Sequence, residues 1–320
     1  MNRRAPAGPR HVAHRLWEEL NNFAQAFEES ARSTSWPETR RPVFIVGPPR
    51  SGTTLLYQSL VHSFAVGYTA NIHCLLYGGP SLVERALRPS RRGSPVRFRS
   101  ANGRTAGLRG PSECGEYWYR FFPRDPTYVR SSDLSHLALS RLRTSVGAML
   151  RACSVCVVYK NTYNSLRLEP ISVCLPEALF VVVRRGVLDV ARSLLAGRHR
   201  VLGSYEAWWG VRPPGPDLSS RPPHEQAVEQ VVRINDVIDR DTASIGSHRF
   251  LQVQYEDLVQ DPRSQMIRVR DFMDSHGSNL ATRFRLPTRF DTAHERLADA
   301  SLDRALVEYV EYIEGMRRPT

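Results

Sequence analysis

The chain predicts an α/β fold in three layers, with a central, mostly parallel sheet flanked by helices. Strand-like runs at 43–46, 64–69, 154–159, 178–183 and 250–254 alternate with longer segments of helical periodicity, the pattern of parallel strands joined by right-handed helical crossovers. The first run, Val43 to Val46, is apolar and β-branched, which suits a strand buried on both faces. Directly after it, Gly47-Pro-Pro-Arg-Ser-Gly52 turns the chain into a helical pattern carried by Leu55, Leu56, Ser59 and Leu60.

Taken in order, residues 1–10 read as a basic tail and 11–31 as an amphipathic helix. Its face of Leu16, Leu20, Phe23, Ala24 and Phe27 is suited to pack on the domain or on a partner. Residues 33–41 are a linker holding Pro37. The organisation is therefore a tail and helix over 1–36 and one α/β domain over 37–320. After the 64–69 strand come Asn71, His73 and Cys74, then a helix over 75–87. Residues 88–112 form an arginine- and glycine-rich insertion without periodicity, and loops of that length in compact domains are usually functional or mobile. A helix over 132–151 precedes the 154–159 strand, which ends at Lys160. The 178–183 strand runs into Arg184, Arg185 and Gly186, and a helix over 187–196 follows that Gly197 is placed to end. Residues 200–223 are rich in proline and glycine and carry Trp208 and Trp209. A helix over 225–244, the 250–254 strand and helices over 263–275 and 292–314 complete the chain.

The formal net charge is +12, and Lys160 is the only lysine. Arginine is spread along the whole length, with no basic helix or aromatic platform, so no nucleic-acid partner is expected. A polyanionic small-molecule ligand is electrostatically coherent with that charge. Five irregularly spaced cysteines do not make a disulfide framework; Cys153 and Cys156 read as small buried apolar residues, and a reducing cytoplasm fits. No apolar run reaches the ~20 residues of a membrane span, and the N-terminus lacks an apolar signal core, so a soluble, cytoplasmic enzyme is expected.

The loop after the first strand is an anion cradle, because its amides and the helix N-terminus together favour negative charge. Gly47 and Gly52 have the G-x-x-x-x-G spacing of a nucleotide P-loop, but Thr53 stands where the lysine belongs and the cation sits inside the loop at Arg50. A P-loop-type fold binding an anion other than the phosphates of ATP follows.

Pro49-Arg50-Ser51-Gly52-Thr53-Thr54 resembles the first signature of the sulfotransferases that use 3′-phosphoadenosine 5′-phosphosulfate (PAPS), in their bacterial-type and tyrosyl-protein-sulfotransferase-like branch. The resemblance implies that these six residues hold the 5′-phosphosulfate. The family's second signature is a strand, an arginine and a serine eight positions on, which bind the 3′-phosphate. Arg185 and Ser193 fit it, with Asp189-Val190-Ala191 between them, whereas the same step from Arg184 lands on Arg192. Lys160, at the end of Val157-Val-Tyr-Lys, is similar to a strand-end lysine that contacts the bridging or sulfuryl oxygens. Tyr255-Glu-Asp-Leu-Val-Gln-Asp-Pro262 resembles the family's Y-E-D-L-x-x-x-P segment, with Tyr255 lining the nucleotide pocket or packing beside it.

The resemblance implies an in-line sulfuryl transfer from PAPS to a hydroxyl or amine, leaving adenosine 3′,5′-bisphosphate. Arg50 and Lys160 would stabilise the transferring group and no metal is expected. Three residues remain open as the base: Glu113 first, within Pro111-Ser-Glu-Cys-Gly-Glu-Tyr-Trp118, then His73, then Glu116. The acceptor is expected to be a small molecule, a glycan or a natural product, and a homodimer is admitted. Tyr117, Trp118, Trp208 and Trp209 read either as core or as stacking surfaces for it. Two rivals stand beside this reading. One is an atypical P-loop kinase, which would prefer ATP with magnesium; the other is a nucleotide-binding protein of the same fold that has lost the reaction.

Overall fold

The structure, a computed structural model, describes residues 9–30, 40–90, 96–98, 100–101, 104–291 and 295–317. Most of the expected tail and linker, parts of the 88–112 insertion and the first residues of the helix expected at 292–314 lie outside them. Helix α1 (Pro9–Ser30) comes first, then β1 (Pro42–Val46) and α2 (Thr53–Ser63). Next are β2 (Gly67–Tyr68), α3 (Asn71–Leu75), α4 (Pro80–Leu87), the hairpin β3 (Ser100–Ala101) and β4 (Arg104–Thr105), α5 (Gly115–Trp118) and α6 (His136–Cys153). Strand β5 (Val157–Lys160) leads through a 3-10 turn into α7 (Leu168–Cys174). Then follow β6 (Leu179–Arg184), α8 (Val187–Leu202), α9 (Pro223–Ile245), β7 (Phe250–Gln254), α10 (Tyr255–Gln260), α11 (Pro262–Ser275) and α12 (Ala300–Arg317).

Five strands form one all-parallel sheet in the order β2-β5-β1-β6-β7. Successive residues of a strand point to opposite faces, and here both faces are covered. Val43, Ile45, Leu179, Val181 and Val183 meet Leu56, Leu60, Met266 and Val269 from α2 and α11. Phe44, Val46, Phe180 and Val182 meet Met149, Leu150, Ile171 and Ile234 from α6, α7 and α9. On that second face the register lines up Tyr159, Phe44, Phe180 and Phe250 across four strands. Their ring centroids lie 5.4, 5.8 and 4.7 Å apart, an aromatic ladder in which each pair contributes about 0.5–1.5 kcal/mol beyond its burial. The loops after β1, β5, β6 and β7 all leave the same carboxyl edge of the sheet, where α/β folds bind their ligands.

Several elements depart from expectation for identifiable reasons. The 64–69 strand shrinks to Gly67–Tyr68, because Ala65 N donates to Ala281 O and Phe64 bridges to Thr282 instead of to β5. Of the 75–87 helix only α4, from Pro80, forms; α3 ends at Leu75, and residues 76–79 are a turn through Gly78-Gly79. A Cβ on Gly78 would lie 1.8 Å from Asn21 O, so the break admits the backbone of α1. Strand β5 starts late because Ser154 closes α6 with φ 59°. Gly197 does not end α8; it lies inside the helix against the Trp209 ring, and Gly203, at φ 70°, is the cap. Helix α12 starts at Ala300, where Asp299 Oδ1 accepts from the amides of Ser301 and Leu302.

Helix α1 docks by a neighbouring face that shares only Ala24 with the one its pattern implies. Asn21, Ala24 and Glu28 are buried, whereas Leu16, Leu20, Phe23 and Phe27 are 53–71% exposed. The attachment is polar. Trp17 Nε1 donates to Leu75 O at 2.7 Å and Gly78 N to Asn21 Oδ1 at 2.8 Å. Glu28 accepts from Ser81 N at 3.1 Å and Ser145 Oγ at 2.6 Å, with Arg120 Nη2 3.6 Å away. Removing a buried carboxylate strands each of those partners. Glu28→Ala is therefore expected to cost about 3 kcal/mol, read as a lower urea midpoint. Phe23→Ser on the outer face should move stability by less than about 0.5 kcal/mol.

Candidate active site

The loop between β1 and α2 is held in a shape that few residues tolerate. Gly52, the N-cap of α2, has φ 100°, and Arg50 has φ 72°. A Cβ at Gly52 would sit 2.2 Å from Cδ2 of Tyr255, so the glycine is required both by backbone angle and by the aromatic ring lying against it. No side chain caps α2, which leaves its first-turn amides available to an anion. Ser165, in the turn after β5, fixes the start of the loop: its Oγ accepts from Gly47 N and donates to Gly47 O, both at 3.0 Å. Gly52→Ala should displace Tyr255 and cost about 1–3 kcal/mol through backbone strain alone. Thermal unfolding checks the stability, and nucleotide titration should show binding lost with it.

Three arginines gather beside this loop. Arg185, after β6, donates from Nη1 to Arg50 O at 3.3 Å and lies 4.3 Å over the Tyr255 ring. Arg50 Nε donates to Ser193 Oγ at 3.0 Å, so the two signature segments, 143 residues apart in sequence, touch directly. Glu295 bridges Arg50, at 3.7 Å, and Arg200, at 2.8 Å. Burial pulls the Arg50 pKa below its ordinary value, opposed by Glu295 and reinforced by Arg200 and Arg185. The rival arginine is engaged elsewhere: Arg184 binds Asn235 Oδ1 at 2.6 Å and also Asp239. Arg192 is paired with Asp303 at 2.7 Å.

On the neighbouring strand, Lys160 ends β5 with only 3% of its side chain exposed and pairs through Nζ with Glu113 Oε1. Glu113 Oε2 faces Thr162, whose amide and Oγ1 lie at 3.3 and 3.4 Å. Its main-chain carbonyl accepts from Trp118 Nε1 and Asn161 Nδ2, each at 3.2 Å. The carboxylate is thus fixed from both ends while 30% of its side chain stays exposed. Arg50, Lys160, Glu113, Arg185, Ser193 and Tyr255 all line one cleft of about 760 Å³, a size suited to a nucleotide and a small partner.

The other two base candidates lie off this cleft. His73 is turned inward and wholly buried; its Nδ1 accepts from Ala70 N at 2.8 Å and its Nε2 lies 3.5 Å from Glu84. It is a packed interior imidazole, out of reach of an acceptor. Glu116 pairs with Arg124 at 2.5 Å on the surface. Tyr117 and Trp118 belong to the core, and Trp208 lines a separate cavity with Tyr128 and Arg212, whereas Trp209 reaches the cleft. Four contributors were not anticipated: Thr162, Ser165, Arg200 and Glu295. Arg200 had a signal, since it lies two helical turns after Ser193 on the same face of α8.

The residues present fit a phosphorylated nucleotide. Ser51 Oγ and Arg185 Nε are buried polar atoms without a protein partner, the open α2 terminus adjoins both, and the guanidinium cluster outnumbers its carboxylate. No helix among the described residues is long and apolar enough to cross a membrane.

A family model described as "Sulfotransferase family" matches residues 42–276. Two curated proteins named omega-hydroxy-beta-dihydromenaquinone-9 sulfotransferase Stf3, from Mycobacterium bovis and Mycobacterium tuberculosis, are similar to this chain. Each is 26% identical over 250 residues, covering 71% of this chain and 61% of its own length. The chain therefore spans about three fifths of the length of those relatives. Among solved structures, sulfotransferase STF1 from Mycobacterium tuberculosis has a TM-score of 0.50 at 16% identity, covering 94% of this chain and 81% of that one, a likeness of fold. The family match runs from the first residue of β1 to just past α11, through the anion loop, the Lys160 strand end and the Arg185–Ser193 pair, and on that span the chain belongs to the sulfotransferase family.

Proposed function

We propose that the chain transfers a sulfuryl group from PAPS to the hydroxyl of a small molecule, with Glu113 as the base. The observation that carries this reading is the Lys160–Glu113 pair facing the same cleft as the anion loop and the Arg185–Ser193 pair. Residues Pro49 to Thr54 would hold the 5′ end of the nucleotide, Arg185 and Ser193 the 3′-phosphate, and Tyr255 the side of the pocket between them. When bound, PAPS supplies the sulfuryl group and a stable leaving group, adenosine 3′,5′-bisphosphate.

The chain's own part is positioning and charge. Thr162 aims Glu113 through Oε2, leaving Oε1, on Lys160, beside the space an acceptor would enter. Glu113 takes the acceptor's hydroxyl proton on its carboxylate. Once protonated, it no longer neutralises Lys160, so the ammonium is freed to meet negative charge developing in the cleft as the proton moves. Arg50, which lines the same cleft, adds a second fixed cation. A base positioned in this way contributes about 10²–10⁴-fold. For the acceptor, the leaning is to an alcohol on a partly apolar molecule. Leu55, Tyr163 and Trp209 line the cleft, and the relatives' name specifies an ω-hydroxylated menaquinone derivative.

The test is to incubate the protein with PAPS and a panel of small alcohols and phenols, following release of adenosine 3′,5′-bisphosphate. Acceptor-dependent release supports the reading. Binding of magnesium ATP in preference to the bisphosphate would favour a kinase instead.

A further inference from the structure

We infer that Cys74 and Cys114 form a reactive dithiol in the cleft wall, which peroxide converts to a disulfide that silences the site reversibly. Both side chains line the cleft beside Glu113, and each thiol perturbs the acidity of the other. Ser112 braces the pair, its Oγ lying 3.1 Å from Cys74 Sγ and accepting from Cys114 N at 3.4 Å. Ser112 is itself pinned, because its amide donates to Thr69 O and its carbonyl accepts from Thr69 Oγ1, each at 2.8 Å. The thiols are therefore held together by fixed framework. The other three cysteines, Cys153, Cys156 and Cys174, are buried in the core clusters.

The two sulfurs are not equivalent. Cys74 is half-buried and reachable from the cleft, whereas Cys114 is buried. The contact from Cys114, and after it Ser112, makes the Cys74 thiol more acidic than usual, against the opposing effect of burial. Cys114 moves the other way, held up first by Cys74 and then by burial. Cys74 is thus the attacking thiol and Cys114 the resolving one. The Cys74 thiolate attacks a hydrogen peroxide oxygen, the O–O bond breaks, and hydroxide leaves with the thiol's proton as water. The Cys114 sulfur then attacks the resulting sulfenic acid, the S–O bond breaks, and a second water departs with the Cys114 proton. Two thiols and one peroxide give one disulfide and two waters.

The consequence for activity rests on the role proposed above for Glu113. Cys114 is its immediate neighbour and sits in the left-handed region at φ 44°. A disulfide needs its sulfurs about 2.05 Å apart, well inside the contact distance of two unbonded thiols. Closing that gap draws residue 114 toward α3 and takes Glu113 off Lys160, while the loop and the Arg185–Ser193 pair lie outside the moved segment.

The experiment treats the full chain with a modest excess of hydrogen peroxide, quenches with catalase, alkylates under denaturation and maps the peptides. The expected product is a Cys74–Cys114 cross-link with Cys153, Cys156 and Cys174 still alkylated. Transfer from PAPS should fall at least about tenfold, adenosine bisphosphate affinity should hold within about threefold, and dithiothreitol should restore the rate. In Cys74→Ser, peroxide should give no cross-link and leave the variant's own rate unchanged. Absence of the cross-link, a cross-link without loss of rate, or equal sensitivity in Cys74→Ser would each overturn the inference. Untreated protein that never transfers would instead sink the function proposed for the site, and the cross-link would then decide the thiol pair alone.

Discussion

Replacing Lys160 by methionine should slow sulfuryl transfer by about 10²–10³-fold, with adenosine 3′,5′-bisphosphate affinity within about threefold of the parent. Methionine keeps the buried stem and removes only the ammonium, so the fold should survive. Glu113→Gln should lose about 10²–10⁴-fold for a different reason, the missing proton acceptor. Because Nζ of Lys160 rests on Oε1 of Glu113, the two act as a unit. The double variant should be little worse than the poorer single one, since groups that work together are not additive. Single-turnover rates beside calorimetric titration separate chemistry from binding. A change confined to nucleotide affinity would remove both residues from the reaction.

Arg185→Ala should erase the preference for nucleotides that carry a 3′-phosphate. A charge-assisted hydrogen bond to a buried group contributes about 1.5–3 kcal/mol, so the bisphosphate should bind about 10–100-fold more weakly while adenosine 5′-monophosphate changes little. The variant also takes the guanidinium off the Tyr255 ring and off Arg50 O. A second variant guards against reading general damage as specificity: Ser193→Ala keeps those contacts and removes one hydroxyl, and it should show a smaller loss of the same kind. An unchanged preference in Arg185→Ala would reject the assignment.

The parallel sheet and the placement of the loop motifs at strand ends follow from features that a sequence displays: buried apolar runs, a glycine turn and charged residues just past strand ends; the strand order does not. The eight-residue step that pairs Arg185 with Ser193 is likewise visible in the sequence, and the structure turns Arg184 to α9. The docking face of α1 is not legible in the sequence, because periodicity gives the apolar stripe but not the face that docks. The fit of Asn21 and Glu28 to the amides of Gly78 and Ser81 is a long-range match. His73, a candidate by position, is buried, with Glu84 beside its ring and Ser90 holding that carboxylate, a long-range arrangement that the sequence does not display. Gly197 looked like a helix end and is a packing slot for a tryptophan twelve residues later. Thr162, Ser165 and Glu295 carry no local signal, since each matters through a partner at least 49 residues away.

A crystal structure of the protein with adenosine 3′,5′-bisphosphate is the most direct measurement of all. The 5′-phosphate should lie against the amides of Ser51 to Thr54 with Lys160 and Glu113 beyond it, and the 3′-phosphate against Arg185 and Ser193. Nucleotide bound outside this cleft, or with its two phosphates exchanged between those sites, would contradict the account.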